Sequence, residues 1–322
     1  MALPLFPKSD AYASGFLPPE DGHEIYYEEC GNPAGEPLLY LHGGPGSGFS
    51  TDITQLTDPE HYRIILADQR GAGRSRPHGS LEANTTPHLI HDIERLRSHL
   101  KLEHWALFGG SWGATLAVVA AMAHPKRVTR MVLYGLFLSR QSELEALYYP
   151  GGIAAALFPD VFADFLEPLT PAQQQDPITA YASLFADANN AKRLDALHRW
   201  TALEKAVSRL VVDTTRMSAE LADPDFVLAH SLIENHYFCH HGFIDGDTVL
   251  RQAATTFADI KIDLVTSRYD IVCAPQTAFE FARAVPHTNL TVVTDAGHTW
   301  RDPSNTQALL TALNPHLLKD TT

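Results

Sequence analysis

Cysteine is scarce. The 322 residues include three, Cys30, Cys239 and Cys273, odd in number and far apart. They predict no disulfide framework and a reducing compartment, and without a C-x-x-C pair they offer no cysteine metal site. Positive charge is also short: 24 lysines and arginines stand against 38 aspartates and glutamates, a formal net charge of −14. That balance argues against nucleic acid or an anionic membrane as partner. Long apolar runs are missing. The longest, 114–123, is well short of the roughly 20 residues a bilayer-crossing helix needs. The first ten residues carry two prolines and no basic-then-apolar pattern, which predicts no signal peptide. A cytoplasmic protein is expected. No internal repeat or low-complexity tract breaks the chain, and its 45% hydrophobic content suffices for a large buried core.

What is present centres on Gly109-Gly110-Ser111-Trp112-Gly113. This G-x-S-x-G pattern follows His104-Trp-Ala-Leu-Phe108, a short apolar run that reads as a strand. It precedes 114–123, which reads as a buried helix. Strand, sharp turn and helix are the setting of a nucleophile elbow, in which the serine hydroxyl stands clear of a tight turn. Glycines on either side let the strand and helix cross closely.

The remaining chain alternates strand and helix. Residues 22–29, 37–41, 62–67 and 128–133 read as strands. Residues 86–101 have helical spacing, with Leu89, Ile93, Leu96 and Leu100 on one face. Such alternation predicts a mainly parallel sheet with helices on both faces. From 139 to 255 only helical segments and loops are found. Strands then resume at 260–266 and 290–294, with helices at 275–284 and 305–318. The expected organisation is an α/β core of residues 1–138 and 256–322, with a helical cap at 139–255 over the carboxyl ends of the strands.

Three loops carry chemistry. His42-Gly43-Gly44-Pro45-Gly46 follows a strand and resembles the H-G-G-G-type loop that supplies an oxyanion donor in α/β-hydrolases. The Gly44 and Trp112 N–H groups are the expected pair of donors. Asp68-Gln-Arg-Gly-Ala-Gly-Arg-Ser75 reads as a bracing loop, with Asp68 paired to Arg70 or Arg74. In chain order Ser, acid, base, Asp270 follows the first strand after the cap and His298 follows the last. Asp270 would orient His298, and His298 would take the Ser111 proton. Asp259, Asp263 and Asp295 are rival acids, and His287 is a rival base. In the cap, Glu204 falls inside an apolar stripe of Trp200, Leu203, Val207 and Leu210. An unpaired glutamate there is costly.

Taken together, His42-Gly-Gly-Pro-Gly46, Asp68-Gln-Arg-Gly-Ala-Gly-Arg-Ser75, Gly109-Gly-Ser-Trp-Gly113, Arg268-Tyr-Asp270 and Ala296-Gly-His298 resemble the prolyl aminopeptidases, or proline iminopeptidases, over nearly the whole chain. The resemblance implies an α/β-hydrolase fold and release of N-terminal proline from peptides, with no metal and no cofactor. It also implies amine-binding roles for Glu204 and Glu234 and a proline-ring pocket lined by Phe137 and Tyr148. Leu203, Ser267 and Ala146 depart from the family pattern at the pocket wall, which leaves the strictness of proline preference open. A broader esterase or amidase on the same fold, and a catalytically silent ligand-binding protein, are the competing readings. Cys273, three residues past Asp270, is expected near the site.

Overall fold

The computed structural model describes residues 3–321. Eight strands form one sheet: β1 (Ala11–Phe16), β2 (Tyr26–Gly31), β3 (Glu36–Leu41), β4 (Tyr62–Ala67), β5 (Trp105–Gly110), β6 (Val128–Tyr134), β7 (Lys261–Ser267) and β8 (Asn289–Val293). Their spatial order is β1-β2-β4-β3-β5-β6-β7-β8. The first two strands enter antiparallel, and every pair from β4 to β8 is parallel. β1 is not foreseen by sequence pattern. It is a short edge strand whose first four residues are exposed, so it carries no apolar alternation.

Period-two alternation divides the core. On β3, Leu39 and Leu41 face one layer while Leu38 and Tyr40 face the other. The first layer contains α1 (Thr86–His99), α2 (Trp112–Ala123) and, late in the chain, α11 (Pro275–Ala284). The second contains α12 (Pro303–Leu313). All six residues of β5 are buried, as a central parallel strand covered on both faces requires. Ten of the twelve α2 residues are buried too, which explains why its sequence is apolar all round.

Eight helices separate β6 from β7: α3 (Gln141–Tyr148), α4 (Ile153–Leu157), α5 (Pro159–Leu166), α6 (Pro177–Phe185), α7 (Asn190–Val207), α8 (Thr214–Leu221), α9 (Pro224–Cys239) and α10 (Gly246–Thr256). No helix among the described residues is long and apolar enough to cross a membrane. Asn189 caps α7 and Asp223 caps α9 by accepting first-turn N–H groups. Aromatic rings knit these helices. Tyr148 stacks on Trp200 at 4.6 Å between ring centroids, and Phe165 stacks on Tyr181 at 4.6 Å. α7 ends at Val207, so Leu210, expected on the stripe of Trp200, lies beyond the helix and is half exposed.

Asn84, buried in the loop before α1, fastens this layer to the core. Asn84 gives its side-chain N–H groups to the Arg70 and Ser80 carbonyls and accepts the Tyr237 hydroxyl at 3.0 Å, while its own carbonyl meets His236 Nε2. Arg70 is fully buried. It pairs with Asp92 at 2.6 Å and Asp21 at 3.2 Å, and donates to the Ala83 carbonyl. The open choice for Asp68 is thereby settled: its partner is Arg74, at 2.9 Å. Removing one member of a buried pair strands the other charge. Asp92→Ala is expected to lower the unfolding free energy by roughly 3 kcal/mol, measured by urea denaturation.

Candidate active site

The turn from β5 into α2 places Ser111 at φ 55°, ψ −127°. That left-handed backbone is strained for any residue with a side chain and is held by its neighbours. A Cβ on Gly109 would run into the Gly113 carbonyl, and one on Gly113 into the Leu41 carbonyl. Only bare backbone lets the helix start this close to both β5 and β3.

The neighbouring loops lock onto this turn. His42 Nδ1 lies 2.9 Å from the Gly43 carbonyl, and its Nε2 accepts the Gln69 N–H at 3.0 Å. Gln69 donates to the His42 carbonyl at 2.8 Å and accepts from Trp112 Nε1 at 3.0 Å. Asp68 accepts the Phe49 and Arg74 N–H groups at 2.8 and 2.9 Å. The glycine-rich loop, the bracing loop and the turn therefore form one network. Among the described residues, no carbonyl or side chain accepts the N–H of Gly44 or Trp112. Both remain available to a ligand oxygen.

Asp270 and His298 project from the ends of β7 and β8. His298 Nδ1 lies 2.8 Å from Asp270 Oδ2, and Asp270 Oδ1 accepts the Val272 and Cys273 N–H groups at 3.0 and 2.8 Å. Burial disfavours a charged His298, but the Asp270 carboxylate outweighs it and holds the imidazole well above its ordinary range. Gly135 permits this pair, since its Cβ would sit 3.1 Å from His298 Cε1. Three of the four rivals are engaged elsewhere. Asp263 pairs with Arg130, Asp295 accepts from Ser304, and His287 contacts the Ile260 carbonyl.

Ser111 and His298 line the same cavity. The Ser111 hydroxyl, however, points to Cys273 Sγ at 3.7 Å, and among the described residues it makes no hydrogen bond to His298. A serine hydroxyl has three staggered positions, and catalytic hydrogen bonds commonly tighten only when substrate is bound. Burial pushes the Cys273 thiol up to about 11. Since the thiolate is the reactive form, the Cys273 thiol stays protonated and weakly nucleophilic near neutral pH.

A second, narrow cavity opens from Ser111 into the inserted helices. Its wall includes Phe137, Tyr148, Phe238, Glu204 and Glu234. Glu234 accepts from Trp200 Nε1 at 2.6 Å and from the Tyr148 hydroxyl at 3.4 Å. Glu204 Oε1 meets Lys205 Nζ at 3.4 Å. Glu204 Oε2 lies 2.5 Å from His230 Nε2. Burial raises both carboxyls. For Glu204 the Lys205 ammonium, then His230, overcome it and hold the group well below its usual range. For Glu234 the Glu204 charge adds to burial and lifts it well above. The pair therefore carries one negative charge and one proton.

His230 and Gln69 are site residues that sequence pattern did not single out. His230 lies four residues before Glu234 on α9, the spacing that puts two side chains on one helix face. Glu204, His230 and Glu234 offer ligand atoms within 4.8 Å of one another, as do Asp270, Cys273 and His298. Lys205 Nζ lies 3.5 Å from His230 in the first set, and the protonated Cys273 thiol is a poor ligand in the second.

Comparison with known proteins decides the family. The α/β hydrolase fold profile matches residues 36–299. A probable proline iminopeptidase of Leptolyngbya boryana is 41% identical over 317 residues, covering 98% of each chain. The proline iminopeptidase of Xylella fastidiosa is 41% identical, covering 96% of this chain and 97% of its own. The chain belongs to the proline iminopeptidase family. As a member, it is a hydrolase of the α/β-hydrolase fold. The crystal structure of a Mycobacterium smegmatis proline iminopeptidase superposes with a TM-score of 0.64 over 96% of this chain and all of its own, at 19% identity, a likeness of fold.

The glycine requirement is testable. Gly113→Ala is expected to lower Tm by at least about 5 °C, from well over 1 kcal/mol of strain. Gly15→Ala, whose Cβ would make ordinary 3.5 Å contact with Tyr27, is expected to leave Tm within about 2 °C by the same differential-scanning measurement.

Proposed function

We propose that this chain is a serine aminopeptidase that releases N-terminal proline from peptides, with residues 139–255 acting as a cap that selects the free amine. The observation that carries the reading is the pair Glu204 and Glu234, buried in a cavity that opens onto Ser111. An esterase or general amidase has no need of two carboxyl groups there; Lys205 balances the Glu204 charge, and a further cation would favour ionisation of Glu234 as well. The N-terminal amine of a peptide supplies one, being mostly protonated below its ordinary pKa of about 8. The Glu204 carboxylate, on the wall of that cavity, is the place for its N–H. Phe137 and Tyr148 offer the flat apolar walls suited to a pyrrolidine ring.

In this reading the first residue lies inward, with its carbonyl over Ser111. His298 accepts the Ser111 proton as Oγ attacks the carbonyl carbon. The oxygen takes up the negative charge and meets the Gly44 and Trp112 N–H groups, each such donor typically contributing about 3–4 kcal/mol. His298 then gives its proton to the leaving amine and the C–N bond breaks. Water, deprotonated by His298, attacks the acyl-serine. Collapse returns the proton to Ser111 and frees proline.

Two measurements test this. On chromogenic amides, kcat/KM for free proline is expected to exceed that for free alanine at least about tenfold, a difference of 1.4 kcal/mol. N-acetylproline amide is expected to be inert, and its turnover would refute the amine anchor. The second is a pH profile. His298 must be neutral to act as base, and Asp270 raises its pKa, so kcat/KM rises with pH through an inflection above the ordinary histidine value of about 6.5. It falls again as the substrate amine deprotonates near pH 8. Asp270→Asn is expected to move the lower inflection down and reduce kcat by about 10⁴.

A further inference from the structure

The cavity at Ser111 has an open outer lobe, and Ser111, Gly44 and Glu204 line both lobes. If the first residue of the substrate lies inward, the leaving peptide occupies this outer lobe. Its charges run against those of the chain. Acids outnumber bases 38 to 24 in the sequence, yet four cations, Lys205, Arg209, Arg216 and Arg301, line the lobe against two carboxylates, Glu204 and Glu220.

The carboxylates that face these cations are shared. Glu220 serves Arg216 Nε at 2.9 Å and Arg209 Nη2 at 3.4 Å. Asp52, which accepts from Arg301 Nη2 at 2.7 Å, also takes Lys8 Nζ at 3.1 Å. The Arg301 guanidinium lies over the Trp300 ring, 4.2 Å from its centroid, which fixes its plane. Among the described residues, the two Nη groups of Arg216 and the Nε and Nη1 of Arg301 have no protein acceptor. Both side chains are partly exposed. Guanidinium groups with spare paired donors suit a planar carboxylate.

We propose that Arg216 and Arg301 bind the free C-terminal carboxylate of a short substrate, making di- and tripeptides with an N-terminal proline the preferred class. This rests on the aminopeptidase reading above. A short proline peptide is a zwitterion: its ammonium enters the acidic inner lobe, its carboxylate meets the basic outer wall, and the scissile bond lies between them at Ser111. Two residues beyond that bond span at most about 7 Å, and Ser111, Arg216 and Arg301 line the same open lobe.

The test compares Pro-Ala with Pro-Ala amide, and Pro-Ala-Ala with its amide, using the full chain at low ionic strength. The expected result is a kcat/KM ratio of acid to amide of roughly tenfold or more for one of the two lengths, about what one charge-assisted hydrogen bond supports. The ratio should shrink at high salt. In Arg216→Gln and, separately, Arg301→Gln, it should fall toward one. Reading the ratio within each variant cancels any general loss of activity, and either variant suffices if the other does not fold. A wild-type ratio near or below one at both lengths, or a ratio unchanged in both variants, overturns the proposal. A chromogenic proline amide without a carboxylate runs in parallel. If it is cleaved while acid and amide are equal, the carboxylate site fails and the aminopeptidase reading stands. If it is not cleaved, the aminopeptidase reading falls and the carboxylate site falls with it.

Discussion

The structure depends on one close backbone crossing. α2 leaves β5 so abruptly that Gly109 and Gly113 nearly touch, and Gly113 lies against the end of β3. This crossing holds Ser111 in a conformation it would not otherwise adopt and brings the glycine-rich loop after β3 beside it. The polar network of His42, Asp68 and Gln69 then fixes that loop. Strain at one residue is tolerable because a fully buried strand and a nearly fully buried helix flank it. Relaxing the crossing would displace the serine and both free N–H groups together.

The inner lobe depends on electrostatics. Glu204 and Glu234 have oxygens within 4.8 Å of each other. Two full charges at that distance repel by about 3 kcal/mol even at an effective dielectric constant near 20. That corresponds to roughly two pKa units, and burial, the larger cause, adds to it in favouring the proton on Glu234. Lys205 and His230 favour the anion on Glu204. An incoming ammonium can take over the balancing role of the Glu234 proton.

Much of this was legible in the sequence, for local reasons. Glycine spacing around Ser111 follows from the steric limits of a tight strand-to-helix turn, and Asp270 and His298 stand out because each directly follows a strand. Glu204 was visible as a charge inside an apolar stripe, although Leu210 made that stripe one residue too long. What escaped depends on contacts far apart in sequence. The choice between Arg70 and Arg74 for Asp68 turns on Asp92 and Asp21 claiming Arg70. Gln69 carries no chemical signature until Trp112 and His42 are beside it. His230 is one of 17 histidines, and only its packing against α7 separates it from the others. β1 escaped because an exposed edge strand leaves no hydrophobic pattern.

Asn84 bears on how such proteins diversify. It sits in the core-side loop before α1, yet its side chain and carbonyl receive Tyr237 and His236 of α9. The inserted helices are thus not a detachable module. A graft that swaps them between relatives transfers Tyr237 and His236 but leaves their acceptor behind, about 150 positions upstream. Change in the inserted layer is therefore coupled to a loop outside it, and the two segments should be inherited as a pair.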